Sequence, residues 1–182
     1  MGGMRTLKTV LSGSFRRDPE GLRKAYEALM GAGCDVLSPA HLKLGTERAG
    51  FVFLENQEGQ EPKWIEDQHL QAITKADFVW LHCPDGYIGN SASFEIGFAR
   101  ACGVPVFASV KPSDVTLGAY VSVVESVREA AERLQNLPVR IPPALDAFQS
   151  YFAEVATERG YAGESLRDCL LLALEEMGEL AH

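Results

Sequence analysis

The clearest signal of the chain's architecture lies in residues 78–107, FVWLHCPDGYIGNSASFEIGFARACGVPVF. It begins with an apolar run at 78–81, which predicts a buried strand, and continues through a polar loop. A helix is predicted over 91–102, with Gly103 just past its end, as is typical of helix termination. A second apolar run at 105–108 predicts the next strand. The order strand, loop, helix, strand indicates a βαβ unit with two parallel strands.

The same alternation extends over the first 136 residues. Further strands are predicted at 7–11, 35–37 and 120–124, and further helices at 18–33, from Pro62 to beyond Ile73, and at 125–134. Asp18 before Pro19 is typical of a helix start, and an apolar stripe of Trp64, Ile65, Leu70 and Ile73 marks the second helix. The segment 40–61 is too long for a plain connection, so it is either a functional loop or a small hairpin around 51–53. The pattern predicts an α/β fold, a flavodoxin- or Rossmann-like three-layer sandwich with a five-stranded parallel sheet.

The composition changes at 138–143, where three prolines in six residues predict an extended linker. This linker would divide an α/β domain, 1–137, from a two-helix extension, 144–182. The last predicted helix, 165–182, contains the run CLLLAL and is apolar nearly all round. Such a helix needs a partner surface, so we expect a homodimer or a higher homo-oligomer.

Charge and composition exclude several classes of partner. The 182 residues carry a formal net charge of −8, which argues against a nucleic-acid-binding surface. A membrane span is not expected, because no run of 18 apolar residues occurs. The cysteines are scattered without a Cys-x-x-Cys pair, which favours a reducing cytoplasm.

Glu95 is the strongest candidate for chemistry. The loop ahead of it contains Gly86 and Gly89, which allow the backbone to approach a ligand closely. Ser91 and Ser93 place hydroxyl groups near the start of the predicted helix, where an anion is favoured. The alternative is that Glu95 only stabilises the start of its own helix. It fits a capping box poorly, because the serines precede it by four and two residues rather than three.

Four segments resemble the nucleoside 2-deoxyribosyltransferase-like family, which includes deoxynucleoside 5′-monophosphate N-glycosidases. The resemblance covers residues 6–135. Its segments are TVLSGSF at 9–15, IEDQHLQAI at 65–73, KADFVW at 75–80, and SFEIGFA at 93–99 followed by GVPV at 103–106. The last of these is the most specific.

The resemblance implies a reaction at the N-glycosidic bond of a nucleoside or nucleotide. Glu95 would attack the anomeric carbon of the sugar, forming a glycosyl-enzyme ester as the base leaves, and another base or water would then take the sugar. The departing base needs a proton. Asp67, on the family's second helix, and Asp85, in the loop, are the candidate acids, although Asp67 is equally well read as a solvated helix residue.

The resemblance also suggests where a phosphate would bind. Ser91 and Ser93 are similar to the serines with which the nucleotide glycosidases hold a 5′-phosphate. The other candidate substrate-binding residues are Ser12, Gly13, Ser14, Arg16 and Gly89. Arg16 and its neighbour Arg17 are alternatively a solvated pair. The family's transferases place an acid and a Gly-Thr pair where this chain has YIGNSAS at 87–93, which favours hydrolysis or a nucleotide substrate over exchange.

A second resemblance lies at 170–181, which is similar to the first half of a helix of MazG-type nucleotide pyrophosphohydrolases. Glu175, Glu176 and Glu179 are weak candidate ligands that could share a helix face and hold Mg²⁺. That family needs a further acidic pair on a later helix, so no cofactor is expected unless the site is complete. The four histidines have no metal-ligand spacing, and His69 lies off the helix face of Asp67.

Two other functions therefore remain open. The chain could be a non-catalytic module that binds and senses a nucleotide, in which case Gln would be tolerated in place of Glu95. It could also be a fragment of a pyrophosphohydrolase.

Overall fold

A five-stranded parallel sheet forms the centre of the fold in the computed structural model, which describes residues 5–48 and 51–135. The strands are β1 (Lys8–Gly13), β2 (Asp35–Ser38), β3 (Leu44–Arg48), β4 (Phe51–Leu54), β5 (Phe78–His82), β6 (Val106–Ala108) and β7 (Val121–Val123). The helices are α1 (Pro19–Gly31), α2 (Pro62–Lys75), α3 (Asn90–Ala101), α4 (Val115–Gly118) and α5 (Val127–Gln135). The order β2-β1-β5-β6-β7, with all neighbours parallel, confirms the predicted α/β class. The predicted linker at 138–143 and the extension at 144–182 lie outside the described residues.

The sheet separates two apolar cores. Successive residues of a strand face opposite sides, so Phe78 and Trp80 pack with α1 and α5, whereas Val79 and Leu81 pack with α2 and α3. These two helical layers and the sheet make the three-layer sandwich expected from the sequence. None of the helices in the described ranges is long and apolar enough to cross a membrane.

The long segment after β2 contains a hairpin, as one of the two sequence interpretations proposed. β3 and β4 pair antiparallel in a separate two-stranded sheet. The apolar stripe predicted for α2 is partly wrong. Ile65 and Ile73 are buried, but Trp64 is 50 % exposed, because one residue corresponds to about 100° around a helix.

The start and end of α1 follow the sequence signals. The Asp18 carboxylate accepts a hydrogen bond from the Gly21 amide at 2.9 Å, and Pro19 is the first helical residue. Gly33, with a φ of +77°, turns the chain toward β2 after the helix has ended.

The strand order fixes where a ligand site is expected. Counting the five parallel strands alone, their order is 2-1-3-4-5, which is the flavodoxin-like arrangement. The chain leaves β1 and β5 toward opposite faces of the sheet, so a crevice lies beyond their carboxyl ends. The loops that border this crevice are the turn after Gly13 and the segment after His82.

Candidate functional site

A cavity of about 410 Å³ lies at the carboxyl ends of β1, β2 and β5, where the topology places the crevice. This volume is within the usual range for small-molecule sites. The polar side chains that line it are Ser14, Arg16, Ser38, Gln57, Glu66, His69, Asn90, Ser91 and Glu95. The hairpin contributes Val52 and Leu54 to an apolar wall, and Phe15 and Tyr87 add aromatic rings.

Glu95 reaches the cavity from the buried face of α3. It lies three residues after Ala92 and four before Ala99, both of which pack in the core, and is itself only 7 % exposed. The helix begins after Gly89, so Glu95 lies in its second turn. The helix-dipole effect fades within the first turn, which removes the purely local explanation for this residue.

His69 of α2 is the centre of a polar cluster around Glu95. Its Nδ1 lies 2.7 Å from Ser38 Oγ, at the end of β2. Its Nε2 lies 3.4 Å from both Ser12 Oγ, on β1, and Glu95 Oε2, on α3. The cluster therefore joins four elements of the fold beneath the cavity.

The environments of His69 and Glu95 favour opposite charges. Burial by itself would raise the pKa of Glu95, but the His69 imidazole and the Ser12 hydroxyl outweigh it and hold that pKa below its usual range. Burial would likewise lower the pKa of His69, but the carboxylates of Glu95 and Glu66 raise it. The pair therefore favours an imidazolium beside an ionised carboxylate.

Glu66 is a second carboxyl group on the cavity wall, one helical turn before His69. Burial and the nearby charge of Glu95 raise its pKa. Within the described part of the chain, Glu66 Oε1 and Glu95 Oε2 are buried oxygens for which no hydrogen-bond partner is found. Because buried polar atoms are nearly always paired, we expect these two oxygens to meet water or a ligand in the cavity.

The two aspartates offered by the sequence analysis lie elsewhere. Asp67 is one residue from Glu66 and is directed to another side of α2, where its carboxylate pairs with Lys63 and its side chain is 48 % exposed. Asp85 is exposed in a short 3₁₀ turn after β5, with a φ of +54°. Neither residue lines the cavity.

The predicted phosphate-binding residues are only partly brought together. Gly13, Ser14, Arg16, Gly89 and Ser91 line the cavity. Arg16 also lies 3.5 Å from Glu47 of the hairpin, in an exposed ion pair.

The remaining residues of that prediction are occupied within the fold. Ser12 is fully buried in the His69 cluster, and Ser93 donates its hydroxyl proton to the Gly89 carbonyl at 3.0 Å. The Arg17 guanidinium lies over the Tyr87 ring, 4.4 Å from its centre, which fixes this ring beside the cavity.

Sequence reasoning missed Glu66, His69 and Ser38. Their signal was present in part, because Glu66 and His69 are three residues apart and share a helix face next to the buried Ile65. Ser38 carried no local signal, since its contact with His69 depends on which strands are neighbours.

The chain Ser38, His69, Glu95 has the connectivity of a hydrolase triad, but one component of that chemistry is missing. In α/β hydrolases the amide after the nucleophilic serine helps to bind the oxyanion. Here the next residue is Pro39, which has no amide proton. We therefore interpret Ser38 as the residue that orients His69.

No family model and no curated protein matches this chain. Its function is therefore inferred from the cavity itself. Among residues 5–48 and 51–135, no cluster of three or more His, Cys, Asp or Glu side chains is arranged to hold a metal ion. The weak metal candidates Glu175, Glu176 and Glu179 lie outside those ranges.

Proposed function

We propose that the chain cleaves the N-glycosidic bond of a (deoxy)nucleoside or its 5′-monophosphate, or transfers the sugar, with Glu95 as the nucleophile. The observation that carries this proposal is the Glu95 carboxylate itself. It lines the cavity, it is buried, and its pKa is lowered, while its Oε2 faces His69 Nε2 at 3.4 Å and makes no closer polar contact among the described residues. A carboxylate nucleophile needs to be ionised and to keep one oxygen free for the anomeric carbon.

The cavity walls support a nucleotide as substrate. Phe15 and Tyr87 offer flat aromatic surfaces for a base. Arg16, Ser14 and the start of α3 at Ser91 offer a cation and hydrogen-bond donors for a phosphate. The resemblance of the segment 93–99 to the deoxyribosyltransferase-like family supports the same reaction.

A panel of nucleosides and their 5′-monophosphates tests this proposal. The purified chain is incubated with each compound, and the free base is separated and quantified. We expect base release from at least one member, and a lower KM for monophosphates than for nucleosides. Arg16→Gln should raise KM for the monophosphate about tenfold and leave that for the nucleoside nearly unchanged.

Glu95→Gln separates catalysis from ligand sensing. The amide is nearly isosteric but cannot form the ester, so base release should fall at least about 10³-fold while the variant stays folded. Full turnover in this variant would contradict the nucleophile assignment. Nucleotide binding without base release by the natural chain would favour the sensing module.

We also propose that the chain works in the cytoplasm as a homodimer or higher homo-oligomer. The scattered cysteines and the apolar run at 169–174 support these two points. Sedimentation of the full chain at micromolar concentration tests the assembly, and a monomer there would contradict it.

A further inference from the structure

Two carboxyl groups with opposite environments line the same cavity, and the proposed reaction uses only one of them. Glu95 comes from α3 and Glu66 from α2, and each has one buried oxygen without a hydrogen-bond partner in the described ranges. Glu95 lies against a histidine that stabilises its charge, at 3.4 Å. Pairs of acids in such contrasting surroundings divide the roles of nucleophile and acid in glycosidic reactions.

We propose that Glu66 is the general acid that protonates the departing base, an assignment that rests on the function proposed above. It lies on the cavity wall one turn before His69 and lines the same cavity as Glu95, and no ion pair to Glu66 is found within residues 5–48 and 51–135.

The charged groups around Glu66 favour its protonated form. Burial raises its pKa most, Glu95 and Asp67 add to that effect, and His69 opposes it. Arg16 is the other charged residue that lines the cavity, and it is paired with Glu47. Glu66 therefore keeps its proton to a higher pH than an ordinary glutamate.

The other candidate acids are less suitable. His69 directs its two ring nitrogens toward Ser38 on one side and toward Ser12 and Glu95 on the other, so its protons are engaged. Asp67 is paired with Lys63 outside the cavity.

The two steps balance with water as the only co-reactant. First, a Glu95 oxygen bonds to C1′, the bond from C1′ to the base nitrogen breaks, and its electron pair goes to the base. The base takes the Glu66 proton and leaves neutral. Glu66, now a carboxylate, then removes a proton from water as the water oxygen attacks C1′. The ester bond breaks, Glu95 regains its charge, and Glu66 is protonated again.

The test compares bases that need a proton to leave with bases that do not. For a purine substrate the pair is guanine and N7-methylguanine, and for a pyrimidine it is uracil and 5-nitrouracil, each on the same sugar phosphate. Glu66→Gln should lower kcat/KM about 10²- to 10³-fold on the natural base and less than about tenfold on the activated one. Glu95→Gln should lower both, and Glu61→Gln, an exposed carboxylate next to the same helix, should change neither.

The dependence of kcat/KM on pH tests the assignment of Glu66 independently. In the natural chain kcat/KM falls as pH rises through the raised pKa of Glu66, and this limb should disappear in Glu66→Gln. Thermal unfolding checks that Glu66→Gln is folded. If it is not, Glu66→Asp serves as the second variant, and we expect it to retain part of the activity because it keeps a carboxyl group.

The outcomes separate the two proposals. Base release by the natural chain with equal losses on both bases in Glu66→Gln would overturn the assignment of Glu66 alone. No base release from any substrate by the natural chain would overturn the proposed function and, with it, this assignment.

Discussion

Residues 5–48 and 51–135 contain two histidine–carboxylate pairs, which differ in the hydrogen bonds that their carboxylates make. His82 Nε2 lies 3.0 Å from Asp18 Oδ2, and the other Asp18 oxygen accepts from the Gly21 amide. Both oxygens are therefore used, and the pair ties the start of α1 to the end of β5. Glu95 Oε2 is buried, its distance to His69 Nε2 is a longer 3.4 Å, and it makes no closer polar contact among the described residues.

Proximity of opposite charges does not by itself mark a functional site. A pair whose hydrogen-bonding capacity is used within the fold contributes to structure. A buried pair at the wall of a cavity, with hydrogen-bonding capacity left over, is available to a ligand. We therefore assign His82 and Asp18 to the stability of α1, and His69 and Glu95 to the proposed reaction.

The largest expected difference between the two pairs is in kcat/KM when each histidine is replaced by glutamine. His69→Gln removes the charge that keeps Glu95 ionised, so kcat/KM for base release should fall about 10²-fold. His82→Gln should leave kcat/KM within about twofold and lower the temperature of unfolding. Equal losses of activity in the two variants would remove the distinction drawn between the pairs.

The pH dependence of stability should also differ. His69 has a raised pKa, so its contribution to folding is present below about pH 6.5 and is lost as pH rises through the folded pKa. Glu95 has a lowered pKa, so its contribution is present above about pH 4.5 and is lost as pH falls through its folded value. The free energy of unfolding lost in His69→Gln should therefore shrink as pH rises above neutrality.

Asp18 provides the matched comparison. Its pKa is lowered chiefly by the Gly21 amide and then by His82, so its contribution is present above about pH 3.8 and is lost in acid. The difference in unfolding free energy between Asp18→Ala and the natural chain should therefore shrink as pH falls into acid. A difference for His69→Gln that stays constant as pH rises above neutrality would contradict the assigned charges of the buried pair.

The smallest effect is expected at Asp67, next to the proposed acid. Its pairing with Lys63 is an exposed contact between residues four apart on α2, worth about 0.3–0.5 kcal/mol. Asp67→Asn should lower the free energy of unfolding by about that amount and leave kcat/KM within about twofold. A loss of activity as large as that of Glu66→Gln would return the acid role to Asp67.

The sequence predicts the sheet well because alternating apolar runs and caps are local signals. The helix expected at 91–102 spans Asn90–Ala101, and the strand expected at 7–11 spans Lys8–Gly13. The short helix Val115–Gly118 was not predicted, because four residues are too few to show the repeat of apolar side chains about every 3.6 residues that indicates a helix.

The candidate site is harder to predict from the sequence than the sheet, because its hydrogen-bond contacts join residues that are far apart in the chain. Glu95 stands out through the loop ahead of it. Ser12 and Ser38 meet His69 across separations of 57 and 31 residues, and only the strand order brings them together. The sequence analysis offers Asp67 and Asp85 as candidate acids, whereas the carboxyl group that lines the cavity is Glu66, one residue before Asp67, because one residue corresponds to about 100° around a helix.

The β3–β4 hairpin separates the shape of the cavity from the residues proposed to carry the reaction. It forms its own two-stranded sheet, yet it supplies Val52 and Leu54 to the lining of the cavity that Glu66 and Glu95 also line. Insertions or exchanges in this segment would reshape what fits the cavity while leaving the five-stranded sheet and both carboxyl groups in place. Replacement of this hairpin by one of another sequence is therefore a route to a different ligand preference on the same scaffold.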